Sequence, residues 1–252
     1  MEIDKIYIGT SGWSYDSWVE KFYPKEISKK KWLSYYSQYF NTVEINSSFY
    51  HLPKPETFKN WFENTPVGFK FSVKVSKYIT HTKKLLDCKE PLGNLFEAAS
   101  WLKEKLKIFL FQLPPNLKKD YPRIKNFFDL LFELKKYNEF SKYKCVFEFR
   151  NESWFCNEIY DLLNEYGVGC VISNSRVFPA HNIITGKFCY IRMHGSTSLY
   201  SSKYSDDELR EVAEMSVKNI NDNVPTYIYF NNDMYGYAIE NAISLKEMIM
   251  KC

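Results

Sequence analysis

Residues 108–149 contain one full copy of a pattern that recurs along the chain. The segment begins with Ile108-Phe-Leu-Phe-Gln-Leu113 and ends with Lys144-Cys-Val-Phe-Glu-Phe149, two short runs rich in aliphatic and aromatic side chains. Between these runs, apolar residues recur at three- and four-residue spacing from Phe127 to Leu134, which predicts a helix with one buried face. A strand, a helix and a second strand in this order predict two parallel strands joined by a crossover.

The same alternation of strand and helix patterns extends through the rest of the sequence. Eight runs are predicted strands: Ile6–Thr10, Thr42–Asn46, Phe69–Val75, Ile108–Leu113, Lys144–Phe149, Val168–Asn174, Phe188–His194 and Thr226–Asn231. Successive strands start far enough apart for crossover connections, and no two-residue hairpin signal joins neighbours. Eight parallel strands alternating with helices in 252 residues predict an α/β protein with a TIM (β/α)8 barrel fold, as a single domain over residues 1–252.

One connection departs from this pattern. The segment from Ser175 to Lys187 contains Pro179 and Gly186 and has little room for a helix, so it predicts a loop between strands six and seven, folded over the barrel mouth. The alternative fold is an open, doubly wound sheet, which has the same local pattern. Elsewhere Ser205 and Glu208 form a capping-box sequence, which predicts a helix start.

The composition excludes several classes of protein. Hydrophobic residues make up 45% of the chain, and 46 residues are aromatic, which is incompatible with a disordered or collagen-like chain. The net charge is +4, but the basic residues are 29 Lys and only five Arg, scattered among 30 carboxylates. Nucleic-acid binding proteins cluster their basic residues, so a nucleic-acid partner is not favoured.

The cysteines and the N-terminus indicate the compartment. The six cysteines form no Cys-x-x-Cys pair, and Cys145, Cys170 and Cys189 lie inside apolar runs, which favours buried, reduced thiols. The charged stretch Met1–Lys5 lacks the apolar region of a signal peptide, and no window is long and apolar enough to span a membrane. We therefore expect a cytoplasmic protein without a membrane partner.

Polar side chains are concentrated where the predicted strands end, which in a TIM barrel is the side that carries the active site. They are Glu44 and Asn46, Lys74, Gln112, Glu148 and Arg150, Arg192 and His194, and Asn231 and Asn232. A barrel strand has helices outside and a packed interior inside, so a charged residue within it must be paired or must face the mouth.

These residue types suggest a catalytic site. Glu44 and Glu148 are the predicted catalytic carboxylates, because two carboxylates can divide acid and base roles when their pKa values differ. His194 is the predicted proton shuttle. Arg150 and Arg192 are predicted to bind an anionic group, since a guanidinium can hold a carboxylate or phosphate in bidentate geometry.

Aromatic residues in the predicted mouth loops suggest contacts with a sugar ring or a base. The complete set of predicted substrate-binding residues is Trp13, Tyr15, Asn46, Tyr50, Lys74, His81, Gln112, Arg150, Trp154, Arg192, Asn231 and Asn232. The predicted ligand is a small polar, anionic or sugar-like molecule. Hydrolase or isomerase chemistry is the most natural, because no cofactor fingerprint is present and no cofactor is expected.

Three alternatives stay open at this stage. Glu44, Glu148, Arg150 and Arg192 can form an internal ion-pair network that only satisfies itself. No local metal-binding spacing is present, yet Glu44, His81, Glu148 and His194 could converge on a divalent metal, as in barrel sugar isomerases and abasic-site endonucleases. A barrel that binds nucleic acid or another ligand without catalysis is the third. The oligomeric state is left open.

Several short motifs in these regions occur together in one known family. In chain order they are Ile8-Gly-Thr-Ser-Gly-Trp-Ser-Tyr15, Phe22-Tyr-Pro24, Thr42-Val-Glu-Ile-Asn46 with Phe49-Tyr50, Thr65-Pro66, Thr80-His81, Gln112-Leu-Pro-Pro115, Glu148-Phe-Arg150 with Ser153-Trp154, Arg192-Met-His-Gly195, and Tyr229-Phe-Asn-Asn232. This set resembles the YecE-like family, domain of unknown function 72, along essentially the whole chain. The resemblance implies a TIM barrel but supplies no reaction.

One position departs from the family pattern. Members of the family often have an acidic residue after strand six, where this chain has Ser173-Asn174-Ser175. A role that required a carboxylate at Asn174 would therefore be altered or lost in this protein.

Overall fold

Eight parallel strands form one sheet in the computed structural model, which describes residues 5–137, 142–175 and 177–251. The strands are β1 (Ile6–Thr10), β2 (Thr42–Ile45), β3 (Lys70–Lys74), β4 (Leu106–Gln112), β5 (Lys144–Glu148), β6 (Gly169–Asn174), β7 (Cys189–Met193) and β8 (Thr226–Phe230). Each begins and ends within two residues of its predicted bounds. The expectations about Met1 to Asp4 and Cys252 lie outside the described residues.

Helices connect most of the strands. They are α1 (Trp32–Tyr36), α2 (Ser47–Tyr50), α3 (Pro55–Glu63), α4 (Lys89–Ala99), α5 (Tyr121–Tyr137), α6 (Asn157–Glu165), α7 (Asp206–Asn221) and α8 (Tyr237–Lys251), with 3-10 turns at Asp16–Trp18, Lys29–Lys31, Ser100–Lys105 and Glu152–Trp154 and a π-helical turn at Tyr78–Thr82. The capping box at the start of α7 is formed as predicted. The described residues between β6 and β7 contain no helix, which confirms the predicted loop.

The two edge strands of the sheet, β1 and β2, close it into a barrel. Ser11 and Glu44 form a parallel bridge, and the Gly12 amide donates to the Glu44 carbonyl at 2.8 Å. The Tyr36 hydroxyl joins the strands further down, where it accepts from the Thr10 amide at 2.9 Å and donates to the Thr42 carbonyl at 3.1 Å. The closure confirms the (β/α)8 barrel and rules out the open sheet.

A close approach at Gly9 makes this closure possible. A Cβ atom built at Gly9 would lie 2.2 Å from the Thr42 carbonyl oxygen. Contacts this short are forbidden by atomic repulsion, so any larger residue at this position would force β1 away from β2.

Two apolar cores lie on the two faces of the strands. The larger core fills the space between the strands and the surrounding helices. The smaller core lies inside the barrel and consists of Ile108, Leu110, Val146, Val171, Phe188, Tyr190, Tyr227 and Tyr229. Because side chains alternate between the two faces of a strand, the next inward position on each strand stands above this inner core, at the C-terminal mouth.

The thiols agree with the reduced state that the sequence predicts. Among the described residues Cys88, Cys145, Cys156, Cys170 and Cys189 are free, and all but Cys156 are buried. Burial raises the pKa of Cys170 and Cys189 to about 12, so both stay protonated and unreactive at neutral pH.

Candidate active site at the barrel mouth

A polar layer covers the inner core at the C-terminal ends of the strands. It takes one inward-facing residue from each strand or its C-terminal extension: Ser11, Glu44, Lys74, Gln112, Glu148, Ser173, Arg192 and Asn231. Six of these strand-end residues are sequence-predicted site residues with charged or amide side chains, above β2, β3, β4, β5, β7 and β8. The structure therefore brings together side chains that are far apart in sequence, such as Ser11 and Arg192, which are separated by 181 positions.

Glu44 is completely buried and uses both of its oxygens. Oε1 accepts from Ser11 Oγ and Arg192 Nη2, each at 2.7 Å. Oε2 accepts from the Tyr190 hydroxyl at 2.7 Å and from Arg192 Nε at 3.0 Å. Arg192 thus holds this carboxylate in the bidentate geometry that gives the strongest guanidinium pairs.

Glu148 is also completely buried, and both of its oxygens also accept hydrogen bonds. Oε2 accepts from Arg192 Nη1 at 2.6 Å and from Gln112 Nε2 at 2.9 Å. Oε1 accepts from Arg150 Nη2 and His194 Nε2, both at 2.8 Å. Arg192 therefore bridges the two glutamates, and all four carboxylate oxygens accept at least two hydrogen bonds each.

This arrangement keeps both glutamates ionised. Burial by itself would raise the pKa of Glu44, but the charge and hydrogen bonds of Arg192 outweigh it and the pKa lies below its usual value. Burial likewise acts on Glu148, and Arg150 and Arg192 together hold its pKa well below the ordinary range. The pKa values of both carboxylates are shifted downward, so the environment does not separate them into an acid and a base. Their contacts match the first alternative given above, an internal ion-pair network in which the carboxylates and guanidinium groups satisfy one another's hydrogen bonds.

His194 belongs to the same buried network. It has no exposed surface, and burial lowers its pKa to about 4 although Glu148 acts in the opposite direction. A neutral ring with its proton on Nε2 donates to Glu148, while Nδ1 accepts from Asn231 Nδ2 at 3.1 Å. Both ring nitrogens are then occupied, which leaves His194 to orient Glu148 rather than to exchange protons with a ligand.

Arg150 lies at the upper edge of the network. Its Nε and Nη2 atoms donate to Glu148, while Nη1 has no hydrogen-bond partner among the described residues. The ring of Phe178, from the loop between β6 and β7, stacks over the guanidinium at 3.4 Å. The loop therefore covers this part of the mouth, as the sequence predicts, and Arg150 keeps one donor for a ligand.

Lys74 has a different environment at the end of β3. Its ammonium lies 4.1 Å from the centre of the Phe49 ring and, among the described residues, makes neither a hydrogen bond nor an ion pair. Burial, together with the positive charge of Arg192, lowers the pKa of Lys74 to about 7 against the opposing effect of Glu44 and Glu148. A large fraction of this amine is therefore neutral at physiological pH.

His81 contacts the same aromatic ring as Lys74. Its ring meets Phe49 edge to face at 5.2 Å, and its Nδ1 is 2.9 Å from the Thr80 hydroxyl. Burial lowers the pKa of His81 to about 4, helped by the charge of Lys74. His81 is thus a neutral imidazole beside the Lys74 amine.

A cleft of about 430 Å³ opens beside the mouth, next to the ends of β1 and β2. Trp13, Tyr15 and Asn46, three of the predicted substrate-binding residues, line it together with Trp61 of α3. Trp13 and Trp61 meet edge to face at 5.2 Å. The Asn46 side-chain oxygen is buried without a hydrogen-bond partner, which leaves an acceptor for a hydroxyl or amine.

Three other predicted residues lie away from both the network and the cleft. Tyr50 is 71% exposed on α2, and Trp154 is fully buried, where it stacks on Phe149 and donates to the Leu117 carbonyl at 2.7 Å. Asn232 is also buried, and it donates to the Ser202 carbonyl and to Asn241. Asn174, where the family often has an acidic residue, instead accepts from the Tyr204 hydroxyl at 3.1 Å.

Several residues of the site are absent from the sequence-based set. Ser11 directly follows β1, and Tyr190 precedes Arg192 by two positions. The alternation of side chains along a strand therefore predicts that both face the barrel interior. Asp233 follows the predicted pair at the end of β8; burial raises its pKa above the usual value, against a hydrogen bond with Tyr15. Trp61 lies in the middle of a helix, where no local signal marks it as part of a cleft.

The donor atoms at this site do not fit a divalent metal. Glu44, Glu148 and His194 converge, but Arg192 lies between the carboxylates, and His81 faces Phe49 and Lys74 instead. Within the described residues, no group of three or more His, Cys, Asp or Glu side chains is arranged to hold a metal ion. A cation would have to displace guanidinium hydrogen bonds that already satisfy the carboxylates.

In the described part of the chain, every helix is too short or too polar to cross a bilayer.

Comparison with known proteins identifies relatives of the chain. The family model described as protein of unknown function DUF72 matches residues 7–251. The UPF0759 protein YunF of Bacillus subtilis is 32% identical over 168 residues, which cover 62% of this chain and 54% of YunF. The UPF0759 protein YecE of Escherichia coli K12 is 30% identical over 177 residues, which cover 70% of this chain and 61% of YecE. The match thus spans less than two thirds of either relative.

Solved structures agree with the family match. The crystal structure of a DUF72 family protein from Thermotoga maritima has a TM-score of 0.84 and 30% identity, and the match covers 97% of this chain and 99% of that one. SacUVDE and an IolI protein with a bound zinc atom have TM-scores of 0.57 and 0.53, with 8% and 12% identity, which shows a shared barrel fold alone. The chain therefore belongs to the DUF72 family.

Proposed function

We propose that this protein is an enzyme that binds a small polar, anionic or sugar-like substrate at the C-terminal mouth of the barrel. The observation that carries the proposal is the cleft beside β1 and β2, with two tryptophan rings and a buried amide oxygen that has no partner. Its volume of about 430 Å³ is suitable for a small molecule, and a ring flanked by hydroxyls would meet both the aromatic faces and Asn46.

Charge at the mouth favours a substrate that also carries a negative group. Glu44 and Glu148 balance Arg150 and Arg192, so any positive charge on Lys74 is uncompensated. Arg150 Nη1 adds a directional donor at the same edge. An anionic substituent is therefore the expected partner of Lys74 and Arg150.

The proton-transfer groups favour isomerase-type chemistry over glycoside hydrolysis. Glycosidases need one carboxyl group that stays protonated, whereas the pKa values of Glu44 and Glu148 are both lowered. The groups with pKa values moved toward neutrality are the Lys74 amine and the Asp233 carboxyl. These two, with the buried network as a rigid frame, are the proposed acid–base groups.

The metal-dependent alternative has less support, because the carboxylates are occupied by guanidinium groups. The zinc in the distant IolI barrel belongs to that protein, and only the fold is shared. A nucleic-acid binding role also has less support: Lys29 and Lys30 line the cleft, but the other wall residues are aromatic or neutral.

A ligand panel tests the proposal. Neutral monosaccharides, sugar phosphates and small carboxylates are titrated against the protein, with tryptophan fluorescence as the readout. We expect saturable binding that weakens about fivefold in Trp61→Phe, because a smaller ring loses roughly 1 kcal/mol of stacking and contact area. Trp101→Phe is the matched control, since Trp101 is a partly exposed tryptophan that does not line the cleft.

Two results would contradict the proposal. One is a panel in which no compound binds. The other is a compound that binds Trp61→Phe and wild type equally well, since its site would then lie elsewhere. Binding of single-stranded nucleic acid that weakens steeply with salt would support the binding-module alternative instead.

A further inference from the structure

Lys74 differs from the other strand-end charges in having no ionic partner among the described residues. Its neighbours on each side carry charges: Glu44 on β2, Glu148 and Arg150 at the end of β5, and Arg192 on β7. The oxygens of both glutamates are already occupied by Arg192, Arg150, His194, Gln112, Ser11 and Tyr190. No carboxylate oxygen is left to pair with the Lys74 ammonium.

The surroundings of Lys74 favour its neutral form. Two positive and two negative charges face it, His81 is neutral, and its ammonium lies over the Phe49 ring. An ammonium in this position loses hydration and gains no strong pair in return. A neutral amine keeps its nitrogen lone pair available, which is the requirement for a lysine nucleophile.

Lys105, which is more deeply buried than Lys74, shows that this arrangement is specific. Lys105 is 4% exposed, but its ammonium donates to the Thr65 carbonyl and hydroxyl at 2.7 and 3.1 Å and also to the Phe62 carbonyl. Its hydrogen bonds are satisfied at the C-terminal end of α3, where it has a structural task. Burial of a lysine in this chain therefore does not by itself produce a free amine.

We propose that Lys74 is a nucleophilic amine that forms an imine with the carbonyl group of a small anionic aldehyde or ketone. This inference rests on the proposed function, because it names the substrate class and reactive group of the same mouth. In the first step the Nζ lone pair attacks the carbonyl carbon, and the carbonyl oxygen takes up a proton to give a carbinolamine. Loss of the nitrogen proton and the hydroxyl group as water then leaves the C=N bond.

The neighbouring groups suit such a substrate. Arg150 Nη1 can donate to the anionic group of the carbonyl compound. His81 contacts the same Phe49 ring as Lys74, and its second ring nitrogen has no hydrogen bond among the described residues, so it can relay a proton during loss of water.

Reductive trapping with glyoxylate tests the proposal. The full chain is incubated with glyoxylate and cyanoborohydride at pH 7, and the carboxymethyl-lysine that hydride reduction of the imine leaves is located by peptide mass spectrometry. An amine with a pKa near 7 is neutral roughly a thousand times more often than an ordinary lysine at this pH. We expect Lys74 to be modified at least about tenfold faster than any other lysine.

Variants separate the chemistry from the fold. Lys74→Met removes the amine. Lys74→Arg keeps a positive charge, but its guanidinium group forms no stable imine. Each variant should therefore abolish the selective adduct. Lys70→Met is the matched control, because Lys70 lies at the opposite end of the same strand. Circular dichroism verifies folding, and either of the two Lys74 variants is sufficient if the other fails to fold.

The outcomes are distinct. A selective adduct at Lys74 that persists in Lys70→Met supports the proposal. Adducts spread over surface lysines without excess at Lys74, or trapping that is unchanged in Lys74→Arg, overturn it. If trapping fails while the ligand panel still shows binding that depends on Trp61, the imine is wrong and the proposed function stands.

Discussion

Glu44 and Lys74 lie at the C-terminal ends of neighbouring strands, but their environments are opposite. Glu44 is fully buried and accepts four hydrogen bonds, whereas Lys74 is partly buried and meets only an aromatic ring among the described residues. Glu44 belongs to a closed network centred on Arg192. Lys74, Asn46 and Arg150 each have a polar atom without a hydrogen-bond partner among the described residues, and we call these three groups the open rim.

The difference shows which polar residues are available for chemistry. A group whose hydrogen bonds are all satisfied stabilises one geometry and has little left to offer a ligand. A polar group that loses hydration without gaining a hydrogen-bond partner carries a free-energy cost, and a ligand that supplies the partner removes this cost. Both groups lose hydration at the barrel mouth, so desolvation alone does not distinguish the rigid network from the reactive group.

Breaking the network should have the largest effect on stability. Arg192→Met leaves two buried carboxylates without their bridge, and we expect a loss of about 3–5 kcal/mol in the free energy of unfolding. Urea denaturation at pH 7 measures it. Arg210→Met removes an exposed pair with Asp207 and should cost less than about 1 kcal/mol. Equal losses in the two variants would refute a central role for Arg192.

The pH dependence of stability should report on His194. Its folded pKa of about 4 lies below the unfolded value of about 6.5, so the unfolded state binds more protons between these values. The stabilisation is complete above pH 6.5 and is lost as the pH falls toward 4, by on the order of 3 kcal/mol. His194→Gln should remove this part of the slope in urea denaturation at pH 7, 5.5 and 4.5.

The control for that slope is His181→Gln. His181 lies at the surface beside Glu152, outside the network. The slope should be unchanged in this variant. A wild-type slope that survives in His194→Gln would mean that another group causes it.

Removal of the Lys74 amine should change stability little. Lys74→Met replaces an unpaired ammonium with an apolar chain of similar length, so we expect a change within about 1 kcal/mol, or a gain. Lys105→Met, by contrast, leaves the Phe62 and Thr65 carbonyls without their donor and should cost about 2 kcal/mol. A large loss in Lys74→Met, measured by urea denaturation, would place Lys74 in the closed network.

The smallest stability change is expected at the cleft. Asn46→Ala removes a buried amide oxygen that has no partner, so the free energy of unfolding should change by less than about 0.5 kcal/mol, while ligand binding weakens. Asn232→Ala breaks hydrogen bonds to Ser202 and Asn241 and should cost about 1–2 kcal/mol. Urea denaturation compares the two, and a reversed order would contradict the assignment of Asn46 to the open rim.

The strands were predictable because their signal is local. Runs such as Lys144–Glu148 combine β-branched and aromatic residues with the spacing of a crossover unit, and the structure places them within two residues of the predicted bounds. The convergence of strand-end side chains such as Glu44, Glu148 and Arg192 was also predictable, because parallel strands in a barrel all end at one rim.

The roles of those side chains were less predictable. The proposed division of Glu44 and Glu148 into acid and base finds no support in their environments, because Arg192 bridges both. Trp154 was expected at the mouth, but its side chain is buried in the core. There its ring stacks on Phe149 and its Nε1 donates a hydrogen bond to the Leu117 carbonyl. Sequence spacing does not report which partners a side chain meets across the barrel.

Local sequence, then, carried the fold, the family and the set of polar residues that meet at the mouth. Periodicity and strand ends are properties of neighbouring residues, so they can be recognised without information about any distant contact. The contrast between the closed network and the open rim arose from packing. Hydrogen-bond saturation depends on the positions of donors far apart in the chain, such as Ser11, Gln112 and Arg192, which meet only after the barrel closes.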